Sequence, residues 1–140
     1  MAKRIALNDY IEVDQVDVSN MCRSIEFTSE HAREDVSGFS ASGADEFLAG
    51  RTTQGVTLEI FGMRGSNESH QVFYPLHRDK TIFEFVWRAN VNSAVSATNP
   101  ELRGNVQALT FGEGAQRGEV EAHTVELTTA DSTGLVFYST

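Results

Sequence analysis

Apolar and polar side chains alternate along much of this chain with a period of two. Val56-Thr57-Leu58-Glu59-Ile60-Phe61 keeps the alternation until its last residue, the pattern of a half-buried strand. Ser24-Ile25-Glu26-Phe27-Thr28 repeats it, with Ile25 and Phe27 on one face. Residues 81–88 give the strongest signal: Phe83, Phe85 and Trp87 share one face, and Ile82, Glu84, Val86 and Arg88 the other. In residues 10–18, Ile11 and Val13 are followed by Val16 and Val18, so the phase slips at Gln15, where a bulge or a turn is predicted. Further strands are predicted at 105–111, 118–127 and 134–138. The reading is a mainly β protein of about seven strands.

Two stretches depart from that period. Ser42-Gly43-Ala44-Asp45-Glu46-Phe47-Leu48-Ala49-Gly50 has a capping serine, an acidic first turn and a glycine stop, which predicts a short helical turn. Residues 67–76 predict a helix capped by Ser66 or Asn67, with Val72, Phe73 and Leu76 inward and Pro75 ending or kinking it. Arg64-Gly65-Ser66 and Gly112-Glu113-Gly114 read as turns, and Asp131-Ser132-Thr133-Gly134 as a hairpin connection. Between the strands near Ile25 and Val56 lies a long loop at about 29–53. Loops beyond about 12–15 residues usually serve a function. This one carries Phe39, Phe47 and Leu48 among Gly38, Ser40, Ser42 and Gly43, either tucked onto the body or docked on a neighbour.

Composition narrows the classes. At 140 residues, 40% hydrophobic and 22% charged, the chain matches one ordinary globular domain and not a coiled coil, a collagen or a disordered tail. The lone Cys22 excludes an internal disulfide or a multi-cysteine zinc site. No apolar run reaches the roughly 18 residues of a membrane span. The start turns polar too early for a signal peptide, so synthesis in the cytoplasm is expected. Eleven basic against twenty acidic residues give a net charge of -9, which repels phosphates and disfavours general nucleic-acid binding.

The search for chemistry returns no catalytic, cofactor-binding or metal-binding residues. His31, His70, His77 and His123 form no helical i, i+4 pair, and His70 and His77 straddle a proline, so surface or structural roles are expected. Cys22 sits at a strand start without a partner cysteine, as a small buried hydrophobe does. Gly112 and Gly114 with Gly118 lack dinucleotide-fingerprint spacing. The early acidic group of Asp9, Glu12, Asp14 and Asp17 lacks the central glycine and closing glutamate of a calcium loop.

Several segments line up with a known family. Glu34-Asp35-Val36-Ser37-Gly38-Phe39, then Glu46-Phe47-Leu48-Ala49-Gly50, then Gly55-Val56-Thr57-Leu58-Glu59-Ile60-Phe61-Gly62 resemble the major tail, or tail-tube, proteins of long-tailed bacteriophages and related gene-transfer particles. His77-Arg78-Asp79-Lys80 leading into the strand over 83–87, Val95-Ser96-Ala97-Thr98-Asn99-Pro100 and Arg117-Gly118-Glu119-Val120 agree in order and spacing. The resemblance implies a β-sandwich or barrel-like body with one or two short helices. It implies copies that form stacked hexameric rings, a hollow tube guiding DNA, no cofactor and no enzymatic activity. The implied partners are the protein itself, other tail proteins and DNA passing without specific binding, with no membrane. The implied location is the virion tail, after assembly in the host cytoplasm. Phe39, Phe47 and Leu48 are carried forward as the candidate subunit-interface loop. The alternatives are a capsid-decoration, tail-terminator or head–tail connector subunit, or a small-ligand-binding β-barrel or barrel enzyme using the His70/His77 region.

Overall fold

The computed structural model describes residues 8–38 and 47–139. Their strands are β1 (Tyr10–Val13), β2 (Val16–Asp17), β3 (Cys22–Asp35), β4 (Phe47–Phe61), β5 (Phe83–Arg88), β6 (Glu101–Gly114), β7 (Ala122–Thr129) and β8 (Val136–Tyr138); one helix, α1 (Ser69–Arg78), follows β4. All pairs are antiparallel, in the order β2-β1-β5-β6-β7-β4-β3, with β8 also on β6. The protein is mainly β, as the alternating positions predict.

The sheet cannot be flat. Six strand spacings, about 29 Å, would separate β2 from β3 in a planar sheet. Yet the Val18 N–H donates to Ile11 of β1 (2.9 Å), and the Met21 N–H, one residue before β3, donates to Val18 (3.0 Å). A turn of that kind holds its ends within about 7 Å. The two edges therefore meet at one corner, and the sheet curls into a barrel-like body. Val13, Leu58, Phe85, Leu102, Val106 and Val125 fill its interior without measurable exposure.

The phase slip at Gln15 is a two-residue hairpin turn. Asp14 and Gln15 both have positive φ (49° and 65°), the arrangement that matches strand twist, and Val13 pairs with Val16 across it. Gly112 and Gly114 do not turn the chain: both lie in β6, opposite Thr124 and Ala122. The turn comes later, where the Glu119 N–H donates to Gln116 (3.0 Å) and Gly118 takes φ 85°. The segment at Asp131–Gly134 is not a hairpin either. Strands β7 and β8 both pair with β6, so the chain leaves β6 after β7 and rejoins it further along. Asp131 shapes that excursion by accepting the Thr133 and Gly134 N–H groups (both 3.1 Å). The excursion passes so close to Gly104 that a Cβ there would meet the Gly134 carbonyl at 2.6 Å, which only glycine avoids.

Helix α1 runs through Pro75 to Arg78 instead of ending there. An interior proline costs roughly 3 kcal/mol. Phe73 and Leu76, on either side of it, are both buried against the body, and burying such side chains contributes about 1.5–3 kcal/mol each, enough to offset the proline. The helix start is anchored by Ser69, whose buried hydroxyl donates to the Phe61 carbonyl (2.8 Å) and accepts the Met63 N–H (2.8 Å).

The expected long loop at about 29–53 is largely strand. Residues 29–35 and 47–53 pair with each other as extensions of β3 and β4. The predicted helical turn at 42–50 is overturned over its last four residues: Phe47, Leu48, Ala49 and Gly50 are strand, and Ser42 to Glu46 lie outside the described residues.

Candidate assembly surface and a carboxylate–histidine cluster

Strand β4 meets β7 only from Gly55 to Phe61. Beyond Gly55, residues 47–54 pair with β3 alone, making a two-stranded arm about 27 Å long. From Thr28 outward every β3 residue is exposed, and the arm is tied to the body at its base, where the Gln54 side chain accepts the Leu135 N–H (2.8 Å) and donates to the Leu135 carbonyl (3.1 Å). The arm's order comes from local contacts. The Arg33 guanidinium lies over the Phe47 ring at 3.6 Å, and His31 Nδ1 shares a hydrogen bond with Thr52 Oγ1 (2.7 Å). The register shifts between His31 and Arg33, which twists the ribbon at mid-length.

The sequence-derived candidates fall on this arm. Phe47 pairs with Asp35 and Leu48 with Glu34 at its outer end, and successive strand positions place Phe47 and Leu48 on opposite faces. Leu48 is 62% exposed, and Val36 beside them is also exposed. Phe39, the third candidate, lies outside the described residues.

A second constellation sits at the far end of β6. Glu113 of β6 and His123 of β7 are directly paired, and Glu121 precedes β7 by one residue. The anchored start of α1 delivers His70, whose Nδ1 hydrogen-bonds Glu113. From outside, Arg64 Nη2 donates to Glu121 Oε1 (2.6 Å) and Glu113 Oε2 (3.3 Å). His123 is fully buried, its ring edge-on to Phe111 with centroids 5.5 Å apart. The chain thus joins His70 and His123 through one carboxylate, although sequence spacing separates them. His31 and His77 are elsewhere, on the arm and against the Ala108 carbonyl (3.1 Å).

These contacts move the carboxylates. The hydrogen bond from His70 holds the Glu113 carboxyl below its ordinary value of 4.5, and the Arg64 hydrogen bond does the same for Glu121. A depressed folded-state value means that each group stabilises the fold above the unfolded value, and that this contribution is lost as pH falls through the folded value. Urea midpoints should therefore hold level from neutral pH to about 5 and fall below about 4.5, and Glu121→Gln should make that fall shallower. Cys22 differs: burial first, then Asp17, pushes its thiol up to about 12, so it is no nucleophile near neutral pH.

No family model matches the chain, and no curated protein sequence does. Solved structures do. A chain in the virion of a native gene transfer agent particle superposes with a TM-score of 0.75 at 13% identity, over 96% of this chain and 98% of that one. A chain of the SPP1 tail tube gives 0.68 at 8% identity, over 95% of this chain and 76% of that one. The fold is the tail-tube fold. A third match, from the tail of an empty gene transfer agent particle with C6 symmetry, gives 0.66 at 14% identity over 84% and 81% of the two chains. The tail-tube fold accounts for the curled sheet and for the helix laid beside β6, and residue identity this low carries no single side chain across.

Proposed function

We propose that this protein is a tail-tube subunit, whose copies form hexameric rings that stack into a hollow conduit for DNA. Its likeness to chains of assembled tails, one of them C6-symmetric, supports this reading. The arm is the observation in this chain that carries it. A two-stranded ribbon is marginal in water on its own, and the outer end of this one presents Leu48 on one face and Phe47, beneath the arm's own Arg33, on the other. Such a ribbon is completed by lying between neighbouring subunits. Strand β3 also ends the sheet order, so its outer edge has no strand partner among the described residues, an arrangement suited to joining the sheet of the next copy. Head-to-tail contacts of this kind close into rings or propagate as filaments. The net charge of -9 lets DNA pass without adhering. On this reading the subunit turns over no substrate and works in the virion tail alongside other tail proteins.

Negative-stain microscopy of the concentrated, purified protein is the test. Hollow tubes or six-membered rings are expected. Particles of a few subunits without a through-going channel would favour a connector or terminator, and dispersed globules at every concentration would overturn assembly.

A further inference from the structure

We propose that Glu113, Glu121 and His123 form a binding site for a single divalent cation of the zinc class, at which Arg64 is the resident competitor. The donor atoms of the three residues lie within 4.8 Å of one another. His123 Nε2 stands 3.4 Å from Glu121 Oε1 and 3.6 Å from Glu113 Oε1. These separations are long for hydrogen bonds, which cluster near 2.9 Å. They are close to the roughly 3.3–3.6 Å edge of a tetrahedron whose ligands sit about 2.0–2.2 Å from a central ion.

His123 is the independent observation. It is fully buried, its Nε2 is turned to the two carboxylates, and its Nδ1 has no hydrogen-bond partner. A buried imidazole with one nitrogen unpaired and the other poorly paired is costly. An ion at Nε2 replaces its two long contacts with one strong bond and leaves Nδ1 to carry the ring proton. Imidazole with carboxylate oxygens is a donor set that zinc accepts, with water in the fourth position. His70, bonded to Glu113, then serves as the outer partner that orients a ligating carboxylate.

Charge favours the exchange. Two carboxylates carry a charge of -2 and Arg64 offsets half of it. A divalent ion offsets all of it and frees a guanidinium that is already 56% exposed. Because the ligands come from the end of β6 and the start of β7, while Arg64 and His70 flank them from the 62–68 connection and α1, the ion would pin this end of the barrel. The sequence-based expectation of no metal followed from spacing alone, and only the β6–β7 pairing brings these side chains together.

The test is a calorimetric titration of the full chain, stripped of metal by chelator and dialysed, with zinc chloride at pH 7, alongside thermal melts. One zinc per chain is expected, with a melting temperature raised by roughly 10 °C at a hundredfold excess over Kd. Glu121→Gln should melt a few degrees below the parent without metal, because the charge-assisted bond from Arg64 is lost, and should bind at least tenfold more weakly. Arg64→Ala should bind more tightly than the parent, because the competing cation is gone. Absence of saturable binding would overturn the site. So would binding unchanged by Glu121→Gln, which would place the zinc on other histidines, or binding unimproved or weakened by Arg64→Ala, which would make the guanidinium a partner and not a rival.

Discussion

Leu48→Glu should abolish tube formation at concentrations where the parent assembles, while leaving the melting transition of the subunit within a degree or two of the parent. Leu48 stands 62% exposed at the outer end of an arm that touches no third strand, so the isolated fold loses almost nothing when it changes. Surface substitutions outside special features stay within about 0.5 kcal/mol. In an assembly the same position would be covered, and a carboxylate would then be desolvated beside Glu34, its cross-strand neighbour. A loss of about 2 kcal/mol at each contact, the scale of an interface hot spot, raises the concentration needed for polymerisation about thirtyfold. Phe47→Ala should act in the same direction, with a small extra loss of arm order because the Arg33 guanidinium stacks on that ring. Microscopy and calorimetry on one preparation separate the cases. Tubes that form from Leu48→Glu at the parent's threshold concentration would remove the arm from the interface, and a melting temperature lowered by many degrees would make Leu48 part of the fold.

The arm also shows where sequence reasoning reaches and where it stops. Strands β4, β5 and β7 are legible because one face of each is buried, so apolar residues recur at every second position: Val56, Leu58 and Ile60, Phe83 and Phe85, Val125 and Leu127. The arm has no buried face. Ser29-Glu30-His31-Ala32-Arg33-Glu34-Asp35 therefore has no alternation to detect and reads as loop, although it is strand. Pro75 misleads for a related reason, since the energy that keeps α1 intact comes from tertiary burial that no local rule records. The Phe47–Leu48 candidate was visible as apolar residues in an unusual place, whereas the Glu113–Glu121–His123 cluster was not. Its pieces are separated along the chain from Arg64 and His70, and only the register of β6 against β7 makes them neighbours.

Phe73→Ala should lower the melting temperature by about 10–20 °C, the largest effect expected of any single side chain on α1. A ten-residue helix is too short to hold itself in water, and α1 has neither a side-chain cap bond nor an uninterrupted backbone ladder. It persists because Phe73, without measurable exposure, and Leu76 dock it on the body. Truncating a buried Phe costs roughly 3–5 kcal/mol, and a domain of this size loses about 3–5 °C per kcal/mol. The loss should be local before it is global. Amide exchange at Phe73, Asp79 and Thr81 should speed up under native conditions while β4 and β7 stay protected, because those strands keep their pairing from Gly55 to Phe61. Uniformly faster exchange would mean instead that α1 and the barrel unfold as one unit. Since α1 carries His70 and packs beside β6, a subunit with this helix undocked would still display the arm but would present a different surface to its neighbours. Tubes formed from Phe73→Ala below its melting temperature would therefore place α1 outside the contacts that build them.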